Sequence, residues 1–289
     1  MLQIILNSIV TGSVYLLYAV GFNLLQNTVR FFDVSYGVIG LASAYLSWYV
    51  SKTFGFNYLL VGIFMSLVVS SIYVLKWNYF YKPLRSNGGS NTSMILLTFG
   101  SLIIIQNLIT LVFNSTSKFI SVWDNQSFQF GELYLTQNSI LILSVALSLF
   151  LIFNFIVHHT KYGLAIRAIG QNQELAEING INSQKIIKAV FFIAGFLISM
   201  GVILNSLEIG LRTTLGLSII LKIVIIAIIG GLGSQKGAIA GAISLGFIEN
   251  FTIYYIGQEW IEVISFSLLI VFLIFRPQGI FGQKAARSF

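Results

Sequence analysis

Two ionisable residues stand inside apolar runs, where charge is costly: Lys222 in the run 217–229 and Glu249 in the run 237–255. A lysine or carboxylate so placed ordinarily faces protein or a water-filled cavity, not hydrocarbon. If both runs are helices joined by the short link GGLGSQKG, Lys222 lies about five residues and Glu249 about seven residues from the same end, matched in depth at about 1.5 Å per residue. They can then pair or line a shared polar pathway. The alternative is a Lys222 stem that snorkels to the headgroups and a Glu249 that points into a polar loop. Gln106 and Asn107, in the run 94–113, are amides of the kind that more often join helices than hold a substrate.

Other chemistries find little footing. The chain has no cysteine, and its two histidines are the adjacent His158 and His159, so no metal centre is expected. The glycine-rich run 230–237 misses the GxxxxGK[ST] spacing of a phosphate loop and follows an apolar run that is too long for a strand. A tight turn is expected there, and any ATP hydrolysis would belong to another chain. No Ser, His and Asp set suggests nucleophilic catalysis, so neither an enzyme nor a cofactor is expected.

The elements that must position these residues are membrane helices. With 56% hydrophobic and 9% charged residues, the 289-residue chain cannot clothe a soluble surface, which is normally about a quarter charged. Apolar runs of roughly 17 to 23 residues recur, the length a helix needs to cross a core of about 30 Å, and the alternation of a barrel is missing. The runs are 4–26, 34–50, 56–75, 94–113, 139–157, 186–207, 217–229, 237–255 and 261–275. They predict an all-α integral membrane protein, a polytopic bundle of about 8–9 transmembrane segments forming a single domain over 1–289. The first run has neither the basic region nor the cleavage site of a removable signal peptide.

Between the fifth and sixth runs lies a polar stretch, 158–188, around which the rest is organised. Leu164, Ala165, Ala168 and Ile169 lie at helical spacing, and Gly170 with Asn172 ends that short helix. Asn172 is placed to cap a second helix, Glu174 and Glu177 favour its N-terminal end, and Asn179-Gly180 supplies a left-handed stop. Ser183 is placed to cap the next membrane helix. The apolar side of this hairpin, with Leu175, Ala176, Ile178 and Ile181, would be exposed unless another surface covered it.

Basic residues orient the bundle. With 158–188 inside, Arg30, Lys76, Lys82, Arg85, Lys161, Arg167, Lys185, Lys188, Lys236, Arg276, Lys284 and Arg287 are cytoplasmic, and only Lys52, Lys118 and Arg212 lie outside. Twelve against three places the N-terminus outside and the C-terminus inside. The net charge of +7 is thereby accounted for, and no basic soluble domain exists that could bind nucleic acid.

Glycine-rich spacing recurs as GVIGLASA at 37–44 and GAIAGAISLG at 237–246. Close helix packing accounts for such spacing, and so does a pair of interrupted helices in two halves of a pseudo-repeat. Taken together, VTGSVYLLYAVGFNLL (10–25), YKPLRS (81–86), YGLAIRAIGQNQELAEINGIN (162–182), LKIVIIAIIGGLGSQKGAIAGAISLGFIE (221–249) and RPQGIFG (276–282) make the chain similar to a known family. It resembles the LivH-type permease subunits of ATP-binding-cassette importers for branched-chain amino acids, a family that also includes urea and short-chain amide permeases.

The resemblance implies a multi-pass permease of the bacterial cytoplasmic (inner) membrane, in contact with lipid. It would work with two ATPase subunits, a second permease that is a related chain or a second copy, and a periplasmic or extracellular substrate-binding protein. It also implies that 162–182 is the coupling loop, with Gly163, Arg167, Ala168, Glu174, Ala176, Gly180 and Asn182 as coupling residues. The family pattern likewise carries a lysine and a glutamate at the positions of Lys222 and Glu249. Where the family usually reads Asn-Phe-Ala-His-Gly, this chain has Asp33-Val34-Ser35-Tyr36-Gly37, which makes Tyr36 a candidate for selectivity or for packing. The residues alone also accommodate a secondary transporter or channel working without ATP, although that reading leaves the hairpin's apolar face without a partner.

Overall fold

A computed structural model describes residues 1–120, 127–130, 133–231, 233–276 and 279–281. Leu232, Pro277, Gln278, Gly282, Lys284 and Arg287, which the motifs and charge pattern above include, lie outside the described residues. The long helices are α1 (Leu2–Val29), α2 (Tyr36–Phe54), α3 (Tyr58–Lys76), α5 (Asn91–Phe113), α6 (Gln137–His159), α9 (Ser183–Ile209), α10 (Leu215–Gly230), α11 (Gln235–Tyr255) and α12 (Ile261–Phe275). Short helices α4 (Lys82–Ser86), α7 (Lys161–Gln171) and α8 (Gln173–Ile178) complete the set. A two-stranded antiparallel hairpin, β1 (Ser127–Phe130) with β2 (Leu133–Thr136), sits in the loop between α5 and α6. Among the described residues, seven helices are long and apolar enough to cross a membrane. With the less apolar α2 and the shorter α10, nine helices among the described residues stand where the nine runs were read.

Two helices make the centre. Every residue of α1 from 14 to 25 is buried, as is every residue of α9 from 197 to 204, and the two pack against each other. Helix α11 lies along α1, while α2 and α3 lie along α9. Helices α5, α6 and α12 form the rim, and their exposed Leu, Ile, Val and Phe side chains are the surface a bilayer would wet.

Glycine is required where these helices touch. A Cβ on Gly40 would come within 2.7 Å of Val202 Cγ2 and 2.9 Å of the Ile198 carbonyl oxygen on α9. One on Gly246 would meet Gly12 N and Ser8 O of α1, each at 2.8 Å. Small-residue packing inside the chain therefore accounts for both glycine-rich stretches, which lie in the unbroken helices α2 and α11. The interruption falls just before α2 and α10, whose first turns abut where Gly37 meets Gly216. At 16 residues α10 is about 24 Å long, shorter than a bilayer core of about 30 Å.

One boundary differs from the expectation. Helix α3 does not end near Leu75; it continues through a π turn, Trp77–Tyr81, into α4. Four residues of regular helix overshoot a full turn by about 40°. The wider π turn reduces that drift and keeps Tyr73, Trp77 and Tyr81 together on the buried side.

Candidate functional site

Lys222 on α10 and Glu249 on α11 face each other, with Nζ 2.8 Å from Oε2. The link between the two helices is so tight that Gly230 and Gly237 lie backbone to backbone, which leaves the two helices no room to separate. A third group completes the site. The Tyr15 hydroxyl of α1 accepts from Lys222 Nζ at 2.5 Å and donates to Glu249 Oε2 at 2.5 Å, and the ammonium lies 4.9 Å from the tyrosine ring centroid. Glu249 is buried, whereas the Lys222 side chain is 26% exposed to a small side cavity bordered by Ser218, Glu262 and Ser265. Glu249 Oε1 has no hydrogen-bond partner. The arrangement holds a paired charge in an apolar setting, where losing one member costs about 3–5 kcal/mol. Tyr15 escaped the sequence reading; its one signal is a phenol in the middle of the first span.

Tyr36 does not border that cavity. Its side chain is fully buried, its hydroxyl donates to the Ala194 carbonyl at 2.9 Å, and the space it fills is the one left by Gly21. The neighbouring Asp33 is the more connected group. Its buried carboxylate accepts from Ser35 N (2.9 Å), Ser35 Oγ (2.5 Å), Tyr73 (2.7 Å) and Tyr81 (2.8 Å), and Lys76 Nζ donates to Ser35 Oγ. Both phenols reach one carboxylate from the same helix because of the π turn between them. The sequence signal was the aromatic spacing of four at 73, 77 and 81. Gln106 lies on α5, which packs on α2 and α4, and its side-chain oxygen is buried without a hydrogen-bond partner. Asn107 is turned back on its own helix, donating to the Ile103 carbonyl at 2.8 Å.

The polar stretch folds as the hairpin α7–α8. Thr160 Oγ1 accepts from Gly163 N at 3.2 Å, and a Cβ on Gly163 would collide with the carbonyls of Ile156 and Val157, so the α6–α7 corner requires glycine. Asn172 Oδ1 caps α8 through Leu175 N at 3.1 Å, and Gly180 takes φ 81° at the stop. Two details correct the expectation. Asn182, not Ser183, caps α9, accepting from Lys185 N at 3.1 Å; the Ser183 hydroxyl instead donates to Glu177, whose carboxyl that bond and the Gln173 amide hold below the usual range. Ala176 is packed inside the chain, because the turn that returns Ile181 N to the Ala176 carbonyl folds α8 onto α9. The apolar side chains left free are Tyr162, Leu164, Leu175 and Ile178, while Ala168 is half-buried and Arg167, Glu174, Gly180 and Asn182 are exposed.

The fold is that of a multi-pass helical membrane protein, with buried polar clusters and a short amphipathic hairpin at one end. From residue 4 to 273 the chain matches the family described as the permease component of the branched-chain amino acid transport system, and it belongs to that family. It is 27% identical to the high-affinity branched-chain amino acid transport system permease protein BraD of Pseudomonas aeruginosa, over 98% of this chain and 96% of that one. To the corresponding LivH of Salmonella typhimurium it is 26% identical, with the same coverage. To the probable LivH of Methanocaldococcus jannaschii it is 26% identical, over 97% of this chain and 92% of that one.

Proposed function

We propose that this chain is the membrane permease subunit of an ATP-driven importer that moves branched-chain or other hydrophobic amino acids across the cytoplasmic membrane. Two ATPase subunits, a second permease and a substrate-binding protein on the outer side complete the assembly. The N-terminus lies outside, and the hairpin end and the C-terminus lie inside. The observation that carries this reading is the hairpin: four large apolar side chains, Tyr162, Leu164, Leu175 and Ile178, stand free on two short helices at the bundle's most basic end. An isolated channel would leave them in water, whereas a docked ATPase covers them.

Full-length family membership and the substrate printed in the names of the relatives support an aliphatic amino acid as cargo. Reconstitution of the permease with its ATPases in proteoliposomes tests the reading. Uptake of leucine should require ATP and the binding protein; uptake without either would replace this reading with a channel or secondary transporter.

A further inference from the structure

A cleft of about 200 Å³, open on one side to solvent, lies at the hairpin end between α4, the start of α8 and the start of α9. Lys82 and Arg85 border it on one side, Gln173 and Gln184 border it too, and Trp77 and Ile187 supply apolar wall.

Several of the polar groups on its lining residues are unmatched. Among the described residues the one salt bridge is Lys222–Glu249, so neither Lys82 nor Arg85 is paired with a carboxylate; Arg85 gives one bond, to the Val29 carbonyl at 3.2 Å. The indole N–H of Trp77, a side chain 1% exposed, has no acceptor, and the buried Oε1 of Gln184 has no donor. Buried polar atoms without partners are uncommon and costly, and on residues that border a cleft they mark what a ligand would supply.

The complement of these groups is specific. Two cations call for an anion, the free amide oxygen calls for an N–H donor, and the Trp77 and Ile187 wall calls for a compact apolar body. A bare phosphate would satisfy only the first. An aliphatic α-amino acid carries all three on one carbon.

We propose that this cleft binds a free aliphatic amino acid from the cytoplasmic side, carboxylate toward Lys82 and Arg85 and ammonium toward Gln184, and that its occupation restrains the hairpin. Gln173 is the first residue of α8 and also bonds Glu177 and Ser183, so a ligand against it ties the hairpin to α4. Delivered product thereby slows its own import. This rests on the importer reading above.

The test uses the complete importer in phosphatidylcholine nanodiscs. Its binding protein is first saturated with leucine, and ATP hydrolysis is then followed as free leucine is raised into the millimolar range. Hydrolysis by the wild type should fall several-fold. Lys82→Gln and, independently, Gln184→Met should each raise the half-inhibitory concentration at least tenfold while leaving hydrolysis at low leucine unchanged. No inhibition of the wild type, or equal inhibition of wild type and both variants, overturns the site. Inhibition by inorganic phosphate, or by added phosphatidylethanolamine, as strong as that by leucine overturns it in favour of an anion or lipid-headgroup site. If leucine-loaded binding protein never stimulates hydrolysis, the importer reading fails and the proposal falls with it.

Discussion

Arg30 reaches across from the end of α1 and donates to the carbonyl oxygen of Gly170, the penultimate residue of α7, at 2.9 Å, and also to that of Gln171 at 2.8 Å. A helix leaves its last carbonyls unsatisfied and partially negative, so a guanidinium there is stabilising. Arg30 can do this because it occupies the left-handed conformation, φ 57°, that closes α1. The backbone oxygen of Asn27 lies just beside Gly170, and Asn27 in turn donates to the Gly233 carbonyl at 2.9 Å. The hairpin is thus fastened to the helix that carries Tyr15.

Removing that fastening should uncouple transport without unfolding the bundle. Arg30→Gln loses two charge-assisted bonds, each worth about 1.5–3 kcal/mol and nearer the lower figure here because the contact is exposed. Membrane levels should hold while the amount of substrate moved per ATP falls. An unchanged ratio would show that the hairpin drives the bundle by another route.

Two substitutions on α8 should fail differently. Ile178→Glu places charge on a side chain that is 80% exposed, so folding should be spared and association with the ATPase weakened by tenfold or more. Ala176→Glu buries that charge against the chain itself and should lower the amount of folded protein. Pull-down with the ATPase beside membrane quantitation separates the two outcomes; equal behaviour would contradict the placement of Ala176.

The ion pair predicts non-additive losses. Lys222→Met leaves Glu249 buried without a counter-charge and should destabilise by about 3 kcal/mol, the low end of the usual range because Lys222 is partly exposed. Adding Glu249→Gln should restore part of that loss, and Tyr15→Phe should cost less than either single change. Thermal unfolding in detergent compares the wild type with the three single variants and the double, and strictly additive losses would argue against coupling.

Helix approach at Gly40 should tolerate nothing larger than glycine. Gly40→Leu meets Val202 and the Ile198 carbonyl and should abolish folding, whereas Gly100→Leu, where a Cβ has nothing within 4 Å, should be silent. Expression and size-exclusion profiles of the two variants check this. A normal profile for the first would mean that α2 and α9 can move apart.

Acid should loosen the hairpin. Glu177 is held below the ordinary glutamate range of about 4.3 by the Ser183 hydroxyl and then the Gln173 amide. A depressed carboxyl contributes stability above its unfolded value and loses it as pH falls through the folded one. Relative to the intrinsic exchange rate, amide protection of 173–183 should therefore fall below about pH 4, and Glu177→Gln should remove that fall. Protection that falls equally in both proteins would assign the effect elsewhere.

What the sequence determined by itself were local quantities. The length and composition of each apolar run placed nine helices, Asn172 and Gly180 marked the ends of α8, and the short link 230–236 brought Lys222 and Glu249 to one depth. What it left open was which side of each helix faces protein. In a soluble protein, water outside and apolar groups inside write that choice into the sequence; here lipid and protein interior are both apolar, and the pattern that would reveal it vanishes. Tertiary structure therefore decided that Tyr15 joins the ion pair, that Tyr36 fills the space at Gly21 and that Ala176 turns inward. It also decided that a π turn sends Tyr73 and Tyr81 to Asp33, a contact that depends on bringing two separate segments within about 3 Å of one another.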